Sequence, residues 1–120
     1  MAVHGEPCEH ATKVQQITSR TRGCEECLAL GAQWNELRVC LTCGHVGCCE
    51  DSAHAHALKH HNETGHPLIA SLERGETWGW CYVHRRYFEL PPNSRPKKRS
   101  ALAAAMARLL GRSDPPSRTQ

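Results

Sequence analysis

Aromatic side chains are scarce in this chain of 120 residues: Trp34, Trp78, Trp80, Tyr82, Tyr87 and Phe88 are all it has. A core built from so few large apolar groups is thin for a domain below about 90 residues, the range in which metals, disulfides or oligomerisation commonly supply the missing stability. Long apolar runs are also missing. None approaches the roughly 20 residues needed to cross a bilayer, so no membrane partner is expected. The opening MAVHGEPCEH has no positively charged region leading into an apolar one, so no secretory segment is read there. A reducing, cytoplasmic setting is expected, and with it a shortage of disulfides.

What the chain holds in quantity is cysteine and histidine. All eight cysteines and eight of the nine histidines lie between Cys8 and His84. In a reducing compartment, CxxC pairs interleaved with histidines favour zinc over disulfides. Cys24-x2-Cys27 and Cys40-x2-Cys43 can each fill two corners of a tetrahedral zinc site. Cys8-x-His10 and Cys81-x2-His84 are two further pairs that mix sulfur with imidazole. Cys48, Cys49, His45, His54, His56, His60, His61 and His66 remain to complete whatever is unfinished. Pairs so far apart in sequence imply sites that staple distant segments together.

The formal charge of +3 is unevenly spread: residues 1–90 carry −3 and residues 91–120 carry +6. A mildly acidic body argues against nucleic-acid binding by the body itself, since the cysteine pairs are not flanked by a phosphate-contacting cluster of lysine and arginine. The expected organisation is one zinc-stabilised α+β domain over residues 8–90 and a flexible, largely disordered basic tail over residues 91–120. Leu37 to Leu41 reads as a strand, and Leu68 to Leu72 and Thr77 to Tyr82 as an antiparallel pair. Asp51 or Ser52 is an available N-cap for a helix running to about His61, which places His56 and His60 on one side. Ala11 to Gly23 reads as loop or short extended structure. Pro91 to Pro96 breaks structure, and Lys97-Lys98-Arg99 reads as a solvated linker before a short helix at 101–110. The fold expected is a short antiparallel sheet packed by one principal helix.

Taken together, Cys8-Glu9-His10, Cys24-Glu25-Glu26-Cys27, Val39-Cys40-Leu41-Thr42-Cys43, Cys48, His56-Ala57-Leu58-Lys59-His60-His61, Thr64-Gly65-His66-Pro67-Leu68 and Trp80-Cys81-Tyr82 resemble the UBP-type zinc finger of ubiquitin-specific proteases. That family also occurs in a histone deacetylase and in ubiquitin ligases. The arginine- and alanine-rich composition suggests a stand-alone bacterial member. The resemblance implies three zinc ions: one on Cys8, His10, Cys81 and His84, a second on Cys24, Cys27, Cys48 and His56, and a third on Cys40, Cys43, His60 and His66. Cys49 and His54 stand as alternatives to Cys48 and His56. His45 and His61 read as surface or supporting groups, and His4 as a terminal residue. Sites saturated by protein leave no position for an activated water, and Glu50-Asp51 has no HExxH-like partner, so no enzyme is expected.

The resemblance also implies an interaction module, which in the family binds the free carboxyl-terminal Gly-Gly of ubiquitin between aromatic walls. Trp80, Tyr82 and Tyr87 stand at the matching aromatic positions. Three residues depart from the pattern. His84 replaces the usual cysteine, Glu50 stands where an arginine is expected, and Arg38 stands where an aromatic is often found. With Glu50 and Asp51 beside it, a ligand carboxylate meets like charge. The partner expected is therefore a protein or C-terminal peptide bound by a monomer. Ubiquitin-tail reading is the alternative, and a purely structural role or weak nucleic-acid binding through the tail comes after it.

Overall fold

A computed structural model describes residues 9–109. Cys8, His4 and residues 110–120 lie outside the described residues, and with them one expected zinc ligand and the end of the basic tail. The central feature is a five-stranded, wholly antiparallel sheet. Its strands are β1 (Leu37–Cys40), β2 (Val46–Cys48), β3 (Leu68–Ser71), β4 (Trp78–Cys81) and β5 (Arg86–Glu89), in the spatial order β2-β1-β3-β4-β5. Three α-helices accompany it: α1 (Glu25–Leu30), α2 (His56–Thr64) and α3 (Ala101–Leu109).

Side chains alternate between the faces of a sheet, so the register decides which residues share a side. Val39 lies opposite Val46 and Ala70, Leu68 opposite Cys81, and Gly79 opposite Phe88. This face carries the core, in which Leu37, Val39, Val46, Leu68, Ala70 and Phe88 are buried together with Leu90. On the other face, Arg38 lies opposite Ser71, Ile69 opposite Trp80 and Trp80 opposite Tyr87. Helix α2 crosses that second face at the β2 end. A Cβ on Gly47 would come within 2.5 Å of the Ala57 amide nitrogen, so only glycine lets the helix lie directly on the strand.

The sheet and its principal helix agree with the sequence reading, but α2 begins later than expected. Ser52 does not cap it, because its hydroxyl accepts a hydrogen bond from the Asn35 amide at 2.8 Å. The chain turns instead through Ala55 in the left-handed region, at φ 46. The His56 amide, in the first turn, donates to Cys48 Sγ at 3.2 Å. At the other end Gly65, at φ 79, closes the helix with its amide on the His61 carbonyl.

The basic segment also differs from expectation over the part described. Lys97 forms a parallel bridge with Thr18, its amide donating to the Ile17 carbonyl and its carbonyl accepting from Ser19, both at 2.8 Å. The Arg99 amide donates to Ser19 Oγ at 2.8 Å, and Arg99 Nη1 reaches the Arg20 carbonyl at 2.8 Å. Residues 95–99 thus lie along residues 16–22 rather than free in solvent. Composition signals proline breaks and exposed charge but not backbone pairing between segments this distant. Helix α3 follows as expected, with Leu102 and Leu109 exposed.

Candidate metal centres and an aromatic cavity

Cys24 is the N-cap of α1, and its sulfur accepts from the Cys27 amide at 3.4 Å. A CxxC pair at the start of a helix turns both sulfurs the same way, while Glu25 and Glu26 in the first turn complement the positive helix end. Arg20 pairs with the buried Glu25 through two contacts of 2.9 Å, which pins the approach to the helix. Cys48, at the end of β2, and His56, at the start of α2, complete a group in which all four residues are buried. The Nδ1 atom of His56 lies 3.3 Å from Cys24 Sγ, 3.4 Å from Cys27 Sγ and 3.5 Å from Cys48 Sγ. Cys27 and Cys48 are 3.9 Å apart.

The β1–β2 hairpin carries Cys40 and Cys43, and α2 brings His60 over them, with His66 on the way into β3. Cys40 Sγ is 3.4 Å from His66 Nδ1, Cys43 Sγ is 3.4 Å from His60 Nε2, and the two histidine nitrogens are 3.3 Å apart. The third group joins the amino-terminal segment to the β4–β5 turn. Cys81 Sγ lies 3.4 Å from His10 Nδ1 and 3.5 Å from His84 Nδ1. Cys8, expected beside His10, lies outside the described residues.

These spacings test the fit to a metal. A tetrahedral zinc with Zn–S of about 2.3 Å and Zn–N of about 2.0–2.1 Å sets its donors apart by about 3.8 Å for two sulfurs, about 3.5 Å for sulfur and nitrogen, and about 3.3 Å for two nitrogens. The distances in all three groups match those edges within a few tenths of an ångström, and the soft sulfur and imidazole donors are those zinc takes. Burial pushes the Cys24 and Cys27 thiols up, so a divalent cation is what makes thiolates of them at neutral pH. Cys40 differs, its thiol lowered to about 6 chiefly by the hydrogen bond from Cys43. Burial lowers His56, which keeps its imidazole neutral as a ligand nitrogen must be.

Two residues named as alternatives stand outside these groups. Cys49 is buried with its sulfur 3.6 Å from Ser52 Oγ, and His54 stacks beside the His56 ring at 5.1 Å. His45 and His61 stand as supporting groups behind His60 and His66, the second of the two readings open to them. His45 is 4% exposed, stacks on His60 and meets Glu26. Burial, the largest single effect, would raise the Glu26 carboxyl, but the His45 hydrogen bond, the charge of His45 and a backbone hydrogen bond together outweigh it and hold Glu26 below the usual range. His61 Nδ1 lies 2.8 Å from the His66 carbonyl, and its ring stacks on Tyr82 at 4.4 Å.

On the sheet face beside α2 lies a cavity of about 330 Å³. It brings together Arg38, Glu50, Trp80, Tyr82 and Tyr87, the five residues singled out in the sequence for peptide binding, and adds Trp78, Asp51 and Ile69. Trp78 meets Tyr87 edge-on at 5.2 Å and 83°, and Trp80 lies 4.7 Å from the same ring. Arg38 stands over Trp78 with its guanidinium carbon 4.7 Å from the ring centre. It also donates to the Leu37 carbonyl at 3.0 Å and pairs with Glu36 at 2.9 Å. Burial, and after it the charge of Glu50, push the Tyr82 phenol well up, so it stays a neutral donor. Trp78 is the aromatic lining residue that sequence reasoning missed. Its even spacing from Trp80 along a strand was the available signal.

The model of a family described as "Zn-finger in ubiquitin-hydrolases and other protein" matches residues 24–93. BRCA1-associated protein of Mus musculus and of Homo sapiens is 40% identical over 63 residues, covering 50% of this chain and 10% of the relative. Ubiquitin carboxyl-terminal hydrolase 16 of Mus musculus is 45% identical over 47 residues, 37% of this chain and 6% of that protein. The chain thus spans about a tenth or less of these curated relatives. The solution NMR structure of protein RPA1320 from Rhodopseudomonas palustris is similar at a TM-score of 0.70 and 47% identity, covering 76% of this chain and 89% of that one.

Proposed function

The chain belongs to the zinc-finger family found in ubiquitin hydrolases and other proteins, a zinc-binding module and not a catalytic domain, and from that premise we propose that it is a non-catalytic interaction module which takes up an extended segment of a partner protein in the aromatic cavity beside α2. The observation that carries this reading is the cavity itself. Four aromatic residues, Trp78, Trp80, Tyr82 and Tyr87, line a space of about 330 Å³ on a face of the sheet that the core does not use. A cavity of that size suits a few residues of peptide, and aromatic walls bury peptide surface with little loss of side-chain freedom.

Three zinc ions are proposed for the full chain. Two are held by the complete groups of Cys24, Cys27, Cys48 and His56 and of Cys40, Cys43, His60 and His66. The third is held by His10, Cys81 and His84 with Cys8 as fourth ligand. When bound, zinc supplies closed four-coordinate cross-links, and the residues around it do the recognising. The module is proposed to act as a cytoplasmic monomer on a protein partner, with neither nucleic acid nor membrane as its target. Among the described residues no helix is long and apolar enough to cross a membrane. Of the tail's basic cluster, Arg99 is turned onto the body while Lys97 and Lys98 are exposed.

Reading of a free Gly-Gly carboxylate comes second. Arg38 lines the cavity and favours it, but its guanidinium is already paired with Glu36, and Glu50 and Asp51 line the same space. The test is a backbone-resolved NMR titration of the zinc-loaded protein with a peptide ending in free Gly-Gly, the same peptide amidated, and end-blocked internal peptides. Shifts at Trp78, Trp80, Tyr82 and Tyr87 with any of them support the cavity as a peptide site. Shifts confined to the free carboxylate support tail reading, and silence towards the whole set overturns the proposal.

A further inference from the structure

The charges of the cavity specify more than a peptide. Three charged side chains line it: Arg38, Glu50 and Asp51. Arg38 is balanced by Glu36, whose carboxylate lies 2.9 Å from its Nη2 and outside the lining. Glu50 and Asp51 are exposed, and among the described residues neither carboxylate has a hydrogen bond or ion pair. The contacts at Asp51 run through its backbone, whose carbonyl accepts from Asn35 Nδ2 and which also hydrogen-bonds the Cys49 sulfur. The cavity therefore presents two uncompensated negative charges beside electron-rich ring faces.

A cation satisfies both features. Indole and phenol faces attract an alkylammonium group through their quadrupoles, and the attraction strengthens as water is excluded. Trp78 and Tyr87 stand nearly perpendicular, with Trp80 beside them, so ring faces and edges bound the space from more than one side. Ile69 and Ala57 add apolar lining suited to a methylene stem. A ligand carboxylate would have to sit against both acidic groups, with an already engaged arginine as its only cationic neighbour in the lining.

We propose that the cavity receives a lysine side chain of the partner protein, its stem among Trp78, Trp80 and Tyr87 and its ammonium group facing Glu50 and Asp51. Lysine fits better than arginine here. Its compact ammonium has three rotatable donors that can address carboxylates from two consecutive residues, whereas the planar guanidinium fork is matched to a single carboxylate met edge-on. This assignment rests on the cavity being the peptide site, and it names the group recognised there.

The experiment titrates the full, zinc-loaded protein with a short peptide blocked at both ends and carrying one lysine, and with the same peptide acetylated on that lysine, following the Trp78 and Trp80 indole signals. The expected result is shifts with the lysine peptide and affinity lower by about tenfold on acetylation, the scale of one desolvated cation–aromatic contact with its ion pair. The double variant Glu50→Gln, Asp51→Asn should keep its zinc and its spectrum outside the cavity and lose about tenfold in affinity for the lysine peptide. Equal binding of the acetylated peptide, or full affinity in the double variant, overturns the lysine assignment. A response to free Gly-Gly alone also overturns it but leaves the cavity a peptide site, whereas silence towards every peptide overturns both readings.

Discussion

His45 lies flat on His60, the two rings 4.0 Å apart and 5° from parallel, while its Nε2 meets the Glu26 carboxylate at 2.7 Å. One buried histidine thus joins α1, which carries the Cys24–Cys27 group, to the His60 end of the Cys40–Cys43 group. Groups behind a metal ligand fix its orientation, and their loss commonly costs 10–100-fold in metal affinity. His45→Ala should therefore release zinc to a competing chelator at about tenfold lower chelator concentration than the wild type. Unchanged zinc affinity would show that the stacking is incidental.

Adjacent cysteines should behave very differently. Cys48 Sγ faces Cys27 and His56, whereas Cys49 Sγ lies against Ser52 and backbone groups and outside the metal-ligand group. Cys48→Ala should lose one zinc equivalent and cooperative folding, and Cys49→Ala should keep its full zinc content. Zinc analysis of the two purified variants decides the matter, and equal loss in both would contradict the ligand grouping.

Removing the metal should unfold the body. The buried sulfurs of Cys24, Cys27 and Cys48 sit within 4.8 Å of one another with His56, and the aromatic-poor core is too small to hold the strands unaided. Chelation should collapse amide dispersion across residues 24–93, and restoring zinc should recover it. A dispersed spectrum in excess chelator would show that the sheet stands without metal.

Gly47→Ala tests the seat of α2. The new methyl carbon would lie 2.5 Å from the Ala57 nitrogen and 2.7 Å from its Cα, backbone atoms that cannot rotate away. Overpacking of this kind costs about 1–3 kcal/mol, or several degrees in Tm for a domain of this size. The same substitution at Gly75, where nothing lies within 4 Å but φ is +84, probes backbone strain alone. Similar losses at both would show that crowding against α2 contributes little.

The cysteine and histidine spacing carried much of the candidate site on its face, because zinc ligation demands near neighbours in pairs and a pair two residues apart can be read without any fold. The strands β1, β3 and β4 were legible for a similar reason, their apolar and β-branched runs being local. Helix α1 was missed because its six residues lie between Cys24 and the left-handed Gly31, too short to show a period. Strands β2 and β5 are short and pass through glycine or charge, and they are strands because β1 and β4 pair with them. The start of α2 was misplaced because Ser52 is used by Asn35, a partner 17 residues away.

From the sequence alone came the metal chemistry, the small sheet with one helix across it, and the five residues gathered around the cavity. Tertiary structure decided that those five meet, since Arg38, Ile69, Trp80 and Tyr87 share a face only in this register and a slip of one residue would turn a strand's set to the core side. It also decided that residues 95–99 lie along residues 16–22, and that the Glu50 and Asp51 carboxylates stand at the aromatic walls without a hydrogen bond or ion pair among the described residues. Ligand pairs are local and leave a mark in spacing, whereas the shape and charge of a cavity arise from strands far apart in the chain, so only their pairing creates it.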